Sequence, residues 1–72
     1  MEILDVRGLS CPLPVLKVKK SLDKGATDLR VIGSAQVAFE NVTRFARSQG
    51  LEINVLSHSP HEWEIELKRT GR

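Results

Sequence analysis

The sequence feature that most constrains this chain is its only cysteine, which two prolines follow at alternate positions in Cys11-Pro12-Leu13-Pro14. Proline is tolerated in the first turn of a helix, where backbone N–H groups lack intrahelical partners, and disrupts a helix further along. A helix is therefore predicted to begin at Pro12 and to end just before Gly25, a residue typical of the position after a helix. Cys11 is predicted at or next to the N-cap.

A cysteine at the start of a helix has chemical consequences. The helix N-terminus carries partial positive charge and free N–H groups, which favour an anion such as a thiolate. Pro12 and Pro14 have no N–H, so Leu13 is the predicted backbone donor to the sulfur of Cys11. A lone cysteine is more often a small buried residue than a reactive one. The two prolines favour the second interpretation, a fixed, exposed and reactive sulfur.

Length and composition predict one small domain spanning residues 1–72. A chain of 72 residues with 40% hydrophobic and 28% charged residues is typical of a globular protein. A single cysteine excludes an internal disulfide framework and a cysteine-rich zinc site. It fits a reducing compartment, so the predicted location is cytoplasmic. No apolar run is long enough to cross a bilayer, so membrane insertion is not expected.

Hydrophobic periodicity predicts the fold. In chain order it predicts a strand at 2–6, a helix at 12–24, a strand at 28–33, a helix at 35–49, and strands at 51–57 and 62–68. Ser34 is the predicted N-cap of the second helix. In the last strand Trp63, Ile65 and Leu67 alternate with glutamates, which indicates a sheet with one face in water. The predicted fold is an α/β (α+β) two-layer sandwich, β-α-β-α-β-β, with a mixed four-stranded sheet and both helices on one face.

The first helix is predicted to present two surfaces besides its core face, which is formed by Val15, Val18 and Leu22. Leu13 and Leu16 fall off the core face and, with Leu9, form either an apolar rim beside the sulfur or a wider core stripe. The lysines of this helix form either a solvated face or a docking surface for an acidic partner, and they are Lys17, Lys19, Lys20 and Lys24.

Several other kinds of site are not expected. His58 and His61 lie three residues apart in a predicted turn with no third ligand nearby in the sequence, so no metal site is predicted. The sequence contains no glycine-rich phosphate loop and no recognisable pair of catalytic acids. Trp63 is predicted to lie in the core.

Residues 4–14, Leu-Asp-Val-Arg-Gly-Leu-Ser-Cys-Pro-Leu-Pro, closely resemble the signature of the TusA/SirA-like sulfur-carrier family. That signature has a strand ending in Leu-Asp, a glycine before the cysteine, and Cys-Pro-x-Pro. The resemblance implies the fold predicted above and a sulfurtransferase-like role. Cys11 would carry sulfur as a persulfide without a cofactor. Gly8, Pro12, Leu13 and Pro14 would support it at the helix start.

The resemblance also implies partners. The sulfur donor would be a cysteine desulfurase, a rhodanese or a thiosulfate-handling partner such as a membrane transporter, and the acceptor would be another protein. No direct contact with nucleic acid is implied. Lys19 matches a basic position on the family's partner-docking face. Arg7 could add positive charge near the sulfur, while Leu9 and Leu16 would offer a partner apolar surface to cover.

The second helix suggests a branch of the family. Residues 40–50 are more like the YedF and YeeD branches than the branch serving tRNA thiolation, which implies thiosulfate use or selenium metabolism. The sequence departs from many members at Ser34-Ala35-Gln36, where those members carry an acidic segment.

Two other functions remain open from the residues alone. A small nucleic-acid-binding or regulatory module could use the lysine face, and its binding would depend steeply on salt and not on Cys11. A redox-sensing thiol would also use an exposed cysteine, but the sequence has no second cysteine to resolve it.

Overall fold

Six elements follow one another in the predicted order. The computed structural model describes residues 2–69 of the predicted domain. The elements are β1 (Glu2–Asp5), α1 (Leu13–Asp23), β2 (Asp28–Gly33), α2 (Gln36–Ser48), β3 (Leu51–His58) and β4 (Trp63–Arg69). Each end lies within one residue of its predicted position, because the apolar periodicity and the turn glycines mark the ends locally.

The four strands form one mixed sheet in the order β1-β2-β4-β3. β1 pairs with β2 in parallel, and β4 pairs antiparallel with both β2 and β3. The predicted mixed sheet is therefore confirmed. The last strand inserts between β2 and β3, which leaves β1 and β3 as the two edges.

The core lies between one face of the sheet and the two helices. Trp63, Ile65 and Leu67 of β4 are at most 1% exposed, and they pack with Val18 of α1 and Val42 of α2 in one cluster. Because both helices contribute to this cluster, the prediction that they share one face of the sheet is confirmed.

The opposite face of the sheet is charged. Arg30 of β2 is paired with Glu66 of β4 and lies diagonal to Glu64. Its guanidinium nitrogens are 3.3 Å from a carboxylate oxygen of Glu64 and 3.9 Å from one of Glu66. Residues on this face alternate with the buried ones along both strands, as the glutamate pattern predicts.

The start of α2 differs from the prediction. Ala35, not Ser34, is the N-cap, and its methyl side chain has no oxygen to offer. The carbonyl of Ala35 instead accepts the indole N–H of Trp63 at 2.9 Å, so a buried tryptophan holds this end of the helix. The Ser34 hydroxyl faces the loop after β1, where it accepts the N–H of Gly8 at 3.2 Å. The assignment of Ser34 as the N-cap was wrong because its hydroxyl oxygen accepts the N–H of Gly8 in the neighbouring loop.

Candidate functional site

The site is built on the loop between β1 and α1. The buried Val6 donates its N–H to the carbonyl of Ile32 at 2.7 Å, which extends the pairing with β2 by one residue. The chain then turns at Gly8, whose φ of 76° lies in the region that favours glycine. The N–H of Gly8 donates to Ser34 after β2. The loop is therefore bonded to the carboxyl ends of two parallel strands. Open α/β sheets commonly bind ligands outside the carboxyl ends of their strands.

Arg7 braces the same loop. Its Nε and Nη2 donate to the two carboxylate oxygens of Asp5 at 2.9 and 2.8 Å, and its Nη1 donates to Glu62 at 3.0 Å. The hydrogen bonds from the Arg7 side chain hold the pKa of Asp5 at about 2. Arg7 thus links β1 to the turn between β3 and β4, and two carboxylates balance its charge.

Cys11 is a free and exposed thiol immediately before the N-cap of α1. Pro12 is the N-cap, the Cys11–Pro12 peptide bond is cis, and the helix begins at Leu13. The position predicted for Cys11, next to the N-cap, is confirmed. The prediction that the Leu13 N–H donates to the sulfur is wrong, because this N–H donates to the carbonyl of Ser10 at 2.9 Å.

The sulfur instead accepts a hydrogen bond from a side chain on the other helix. The Nδ2 atom of Asn41 lies 3.4 Å from Sγ of Cys11. Asn41 is half-buried on α2, and its helix is held against the core by Ala38 and Val42, which are 4% and 0% exposed. Sequence analysis missed Asn41 as a site residue, because no local pattern links residues thirty positions apart.

Both helices carry exposed apolar side chains, and those of α1 lie close to Cys11 in sequence. Leu13 and Leu16 of α1 are 46% and 50% exposed, so they do not widen the core stripe. Leu9 differs from them because it is half-buried and packs against the core. Val37 is 60% exposed and lies one turn before Asn41 on the same face of α2, and the sequence analysis did not single it out.

The lysines of α1, together with Lys24 at its C-cap, divide into two groups. Lys19 forms an ion pair with Asp23 four residues later, at 2.8 Å. Lys17, Lys20 and Lys24 are exposed and recur at intervals of three and four residues, so they form one stripe along the helix. Leu13 lies four residues before Lys17 on the same face, at the end of α1 next to Cys11.

His58 contributes to packing beside the turn, while His61 is exposed. His58 ends β3, so its predicted place in the turn was one residue off, and its ring stacks on Phe39 at a centroid distance of 4.2 Å. Its Nε2 lies 2.9 Å from Oε1 of Gln36. Within residues 2–69, no three His, Cys, Asp or Glu side chains come together as metal ligands would. No helix in this part of the chain is long and apolar enough to span a membrane.

Known proteins match this chain along most of its length. Residues 2–69 match the family described as "Sulfurtransferase TusA". A "Putative sulfur carrier protein" of Methanocaldococcus jannaschii is 37% identical over 71 residues, covering 96% of this chain and 95% of that protein. A protein of Archaeoglobus fulgidus with the same description is 34% identical over 71 residues, covering 94% of this chain and 81% of that protein.

A solved structure shares the fold. The crystal structure of the SirA-like protein from Desulfitobacterium hafniense superposes on this chain with a TM-score of 0.82 over 100% of both chains, at 24% sequence identity. The two-layer arrangement with its mixed sheet is therefore one that a crystal structure also contains.

Proposed function

This chain belongs to the TusA family of sulfurtransferases, and we propose that Cys11 accepts sulfane sulfur as a persulfide and relays it to a partner protein. The observation that carries the proposal is the thiol of Cys11, which is free, exposed and immediately before the N-cap of α1. A sulfur that passes between proteins must be reachable by two partners in turn, and an exposed thiol on a braced loop meets that need. The names of the two sulfur-carrier relatives support the same role.

The chemistry needs only thiolates and sulfane sulfur. In loading, the Cys11 thiolate attacks the sulfane sulfur of a donor persulfide, a new S–S bond forms, and the donor leaves as a thiolate. In discharge, an acceptor thiolate attacks the terminal sulfur, and Cys11 leaves as a thiolate. The sulfur atom is transferred between proteins without net oxidation or reduction, so this chemistry requires no cofactor.

The surface beside Cys11 supports a protein partner. Leu13, Leu16 and Val37 offer exposed apolar area, and the stripe of Lys17, Lys20 and Lys24 offers positive charge on the same helix as the first two. A partner with an acidic docking surface and apolar contacts at its centre matches this combination. Arg7, Leu9 and Lys19 are expected to contribute less to partner binding. Arg7 and Lys19 already form ion pairs within the chain, and Leu9 packs against the core.

We extend the proposal to the source of sulfur. The resemblance of residues 40–50 to the YedF and YeeD branches favours thiosulfate as the source, with a rhodanese-type enzyme or a thiosulfate-handling membrane partner before this protein in the relay. The acceptor is a second protein with a nucleophilic sulfur. A cysteine desulfurase is the alternative donor.

The test is the intact mass of reduced protein after incubation with a cysteine desulfurase and cysteine, or with a rhodanese and thiosulfate. We expect the gain of one sulfur atom, its loss on addition of a reductant, and no gain in Cys11→Ser. Reversal by reductant matters because sulfinic acid adds nearly the same mass and is not reversed. If neither donor adds sulfur while Cys11 still reacts with iodoacetamide, the proposal fails. The donor that succeeds identifies the branch.

A further inference from the structure

We propose that Asn41 is a catalytic residue whose side-chain amide stabilises the negative charge on Sγ of Cys11 when sulfur leaves. The inference rests on the proposed sulfur relay and adds to it a residue from the second helix. It starts from the 3.4 Å hydrogen bond between Asn41 Nδ2 and Cys11 Sγ.

The arrangement of donors around the sulfur singles out this amide. Leu13, the backbone donor that the helix start would normally supply, is bonded to the Ser10 carbonyl, and Pro12 has no N–H. The amide of Asn41 is the side-chain donor that the structure records on Sγ. Helix α2 is anchored in the core, so the amide is positioned before any partner arrives.

The amide acts unequally on the two half-reactions. In discharge, the acceptor thiolate forms a bond to the terminal sulfur, the bond between Sγ and that sulfur breaks, and its electron pair moves to Sγ. The proton of the terminal sulfur stays on that sulfur as it passes to the acceptor. Negative charge therefore grows on the atom that Asn41 faces, and a hydrogen bond to a charged acceptor is stronger than one to a neutral acceptor. In loading, the charge moves away from Sγ, so the same bond does not assist the attack. Asn41 is thus expected to favour release of sulfur over its retention.

The first experiment measures discharge alone. Cys11 is converted to the persulfide chemically with polysulfide, excess reagent is removed, and transfer to glutathione is followed by intact mass. Loss of a hydrogen bond to a charged group is expected to slow such a step by roughly ten- to a hundredfold. Because Nδ2 and Sγ are 3.4 Å apart, we expect discharge in Asn41→Ala to slow by about tenfold, toward the lower end of that range.

The chain offers a matched control in Asn54, which lies on β3 opposite Glu66 on the charged face of the sheet. Asn54→Ala and Asn54→Asp make the same chemical changes as the two corresponding variants of Asn41. We expect Asn41→Asp to discharge more slowly than Asn41→Ala, because a carboxylate repels the forming thiolate. Both Asn54 variants should discharge at the wild-type rate. Equal rates in all four variants and the wild type would overturn the role of Asn41.

A second experiment tests the contact without any sulfur transfer. In ¹⁵N-labelled protein, alkylation of Cys11 with iodoacetamide should shift the side-chain NH₂ resonances of Asn41 and leave those of Asn54 unchanged. Stationary Asn41 resonances would overturn the contact even if the protein relays sulfur. Shifted resonances in a protein that accepts sulfur from neither enzyme donor would overturn the proposed function and leave the contact standing.

Discussion

Gly33 shows how closely single residues are packed beneath the site. It pairs with Trp63 across β2 and β4, and a Cβ at this position would overlap the six-membered ring of the indole. The indole is fully buried and bonded to the carbonyl of Ala35, so it has no free space into which to move. We expect Gly33→Ala to lower the free energy of unfolding by about 2–3 kcal/mol, as measured by urea denaturation.

The same substitution in a Trp63→Phe background provides the control. Phenylalanine removes the overlapping part of the ring, so Gly33→Ala should cost less stability there than in the wild type. An equal cost in both backgrounds would mean that the overlap with the indole is not the cause.

Asp5 and Arg7 predict a dependence of stability on pH. Hydrogen bonds from Arg7 lower the pKa of Asp5 from 3.8 to about 2, so the folded state favours the ionised carboxylate. A carboxyl group with a lowered folded-state pKa stabilises the fold above its unfolded pKa, and this contribution is lost as the pH falls through the folded value. We expect Asp5→Asn to be slightly less stable than the wild type at pH 7. The difference should shrink as the pH falls from 3.8 to about 2.

Urea denaturation of both proteins across this range measures the difference. The effect is small because both side chains are 51% exposed and solvent screens the pair. In an Arg7→Gln background the side-chain hydrogen bonds to Asp5 are lost, while the N–H of residue 7 still donates to its carboxylate at 3.1 Å. Asp5→Asn should therefore change stability less there than in the wild type. An equal change in both backgrounds would mean that the Arg7 side chain is not the cause.

At the scale of elements, α1 has the exposed Cys11 just before its N-cap and carries the lysine stripe that we propose as a docking surface. Lys20→Glu reverses one charge of the stripe, and Lys68→Glu makes the same change on β4, where Lys68 pairs with Glu52 of β3 and lies on the charged face. With the enzyme donor that loads Cys11, we expect Lys20→Glu to slow loading by about tenfold at low ionic strength, because complementary charge accelerates encounter. Loading rates measured over a series of salt concentrations test this.

The expected pattern separates docking from a general effect of charge. The difference between Lys20→Glu and the wild type should diminish as salt is added, since salt screens exposed charges. Lys68→Glu should load like the wild type. Equal slowing in both variants would mean that α1 is not the docking surface.

The start of α1 also shows the limit of reasoning about one element. The two prolines predict the start of the helix to within one residue and place Cys11 at or next to its N-cap, because both follow from the geometry of the proline ring. The donor to the sulfur was predicted incorrectly, since it comes from a different helix.

At the scale of the whole molecule, the strand order brings the site together. β1 and β2 are parallel neighbours, so the loops that follow them lie side by side at the carboxyl ends of the strands, with Gly8 bonded to Ser34. The helix α2 begins there and places Asn41 within hydrogen-bond distance of Cys11. The radius of gyration is 10.9 Å, close to the roughly 11 Å expected of a compact chain of this length.

The local pattern of the sequence determined the six elements, the buried face of β4 and the position of Cys11 at a helix start. Each of these depends on residues close together in the chain, through apolar periodicity, proline geometry and turn glycines. The tertiary structure alone decided that β4 lies between β2 and β3, and that Asn41 faces the sulfur. Those contacts join residues distant in sequence, and they exist only once strand order and register have placed the two helices side by side.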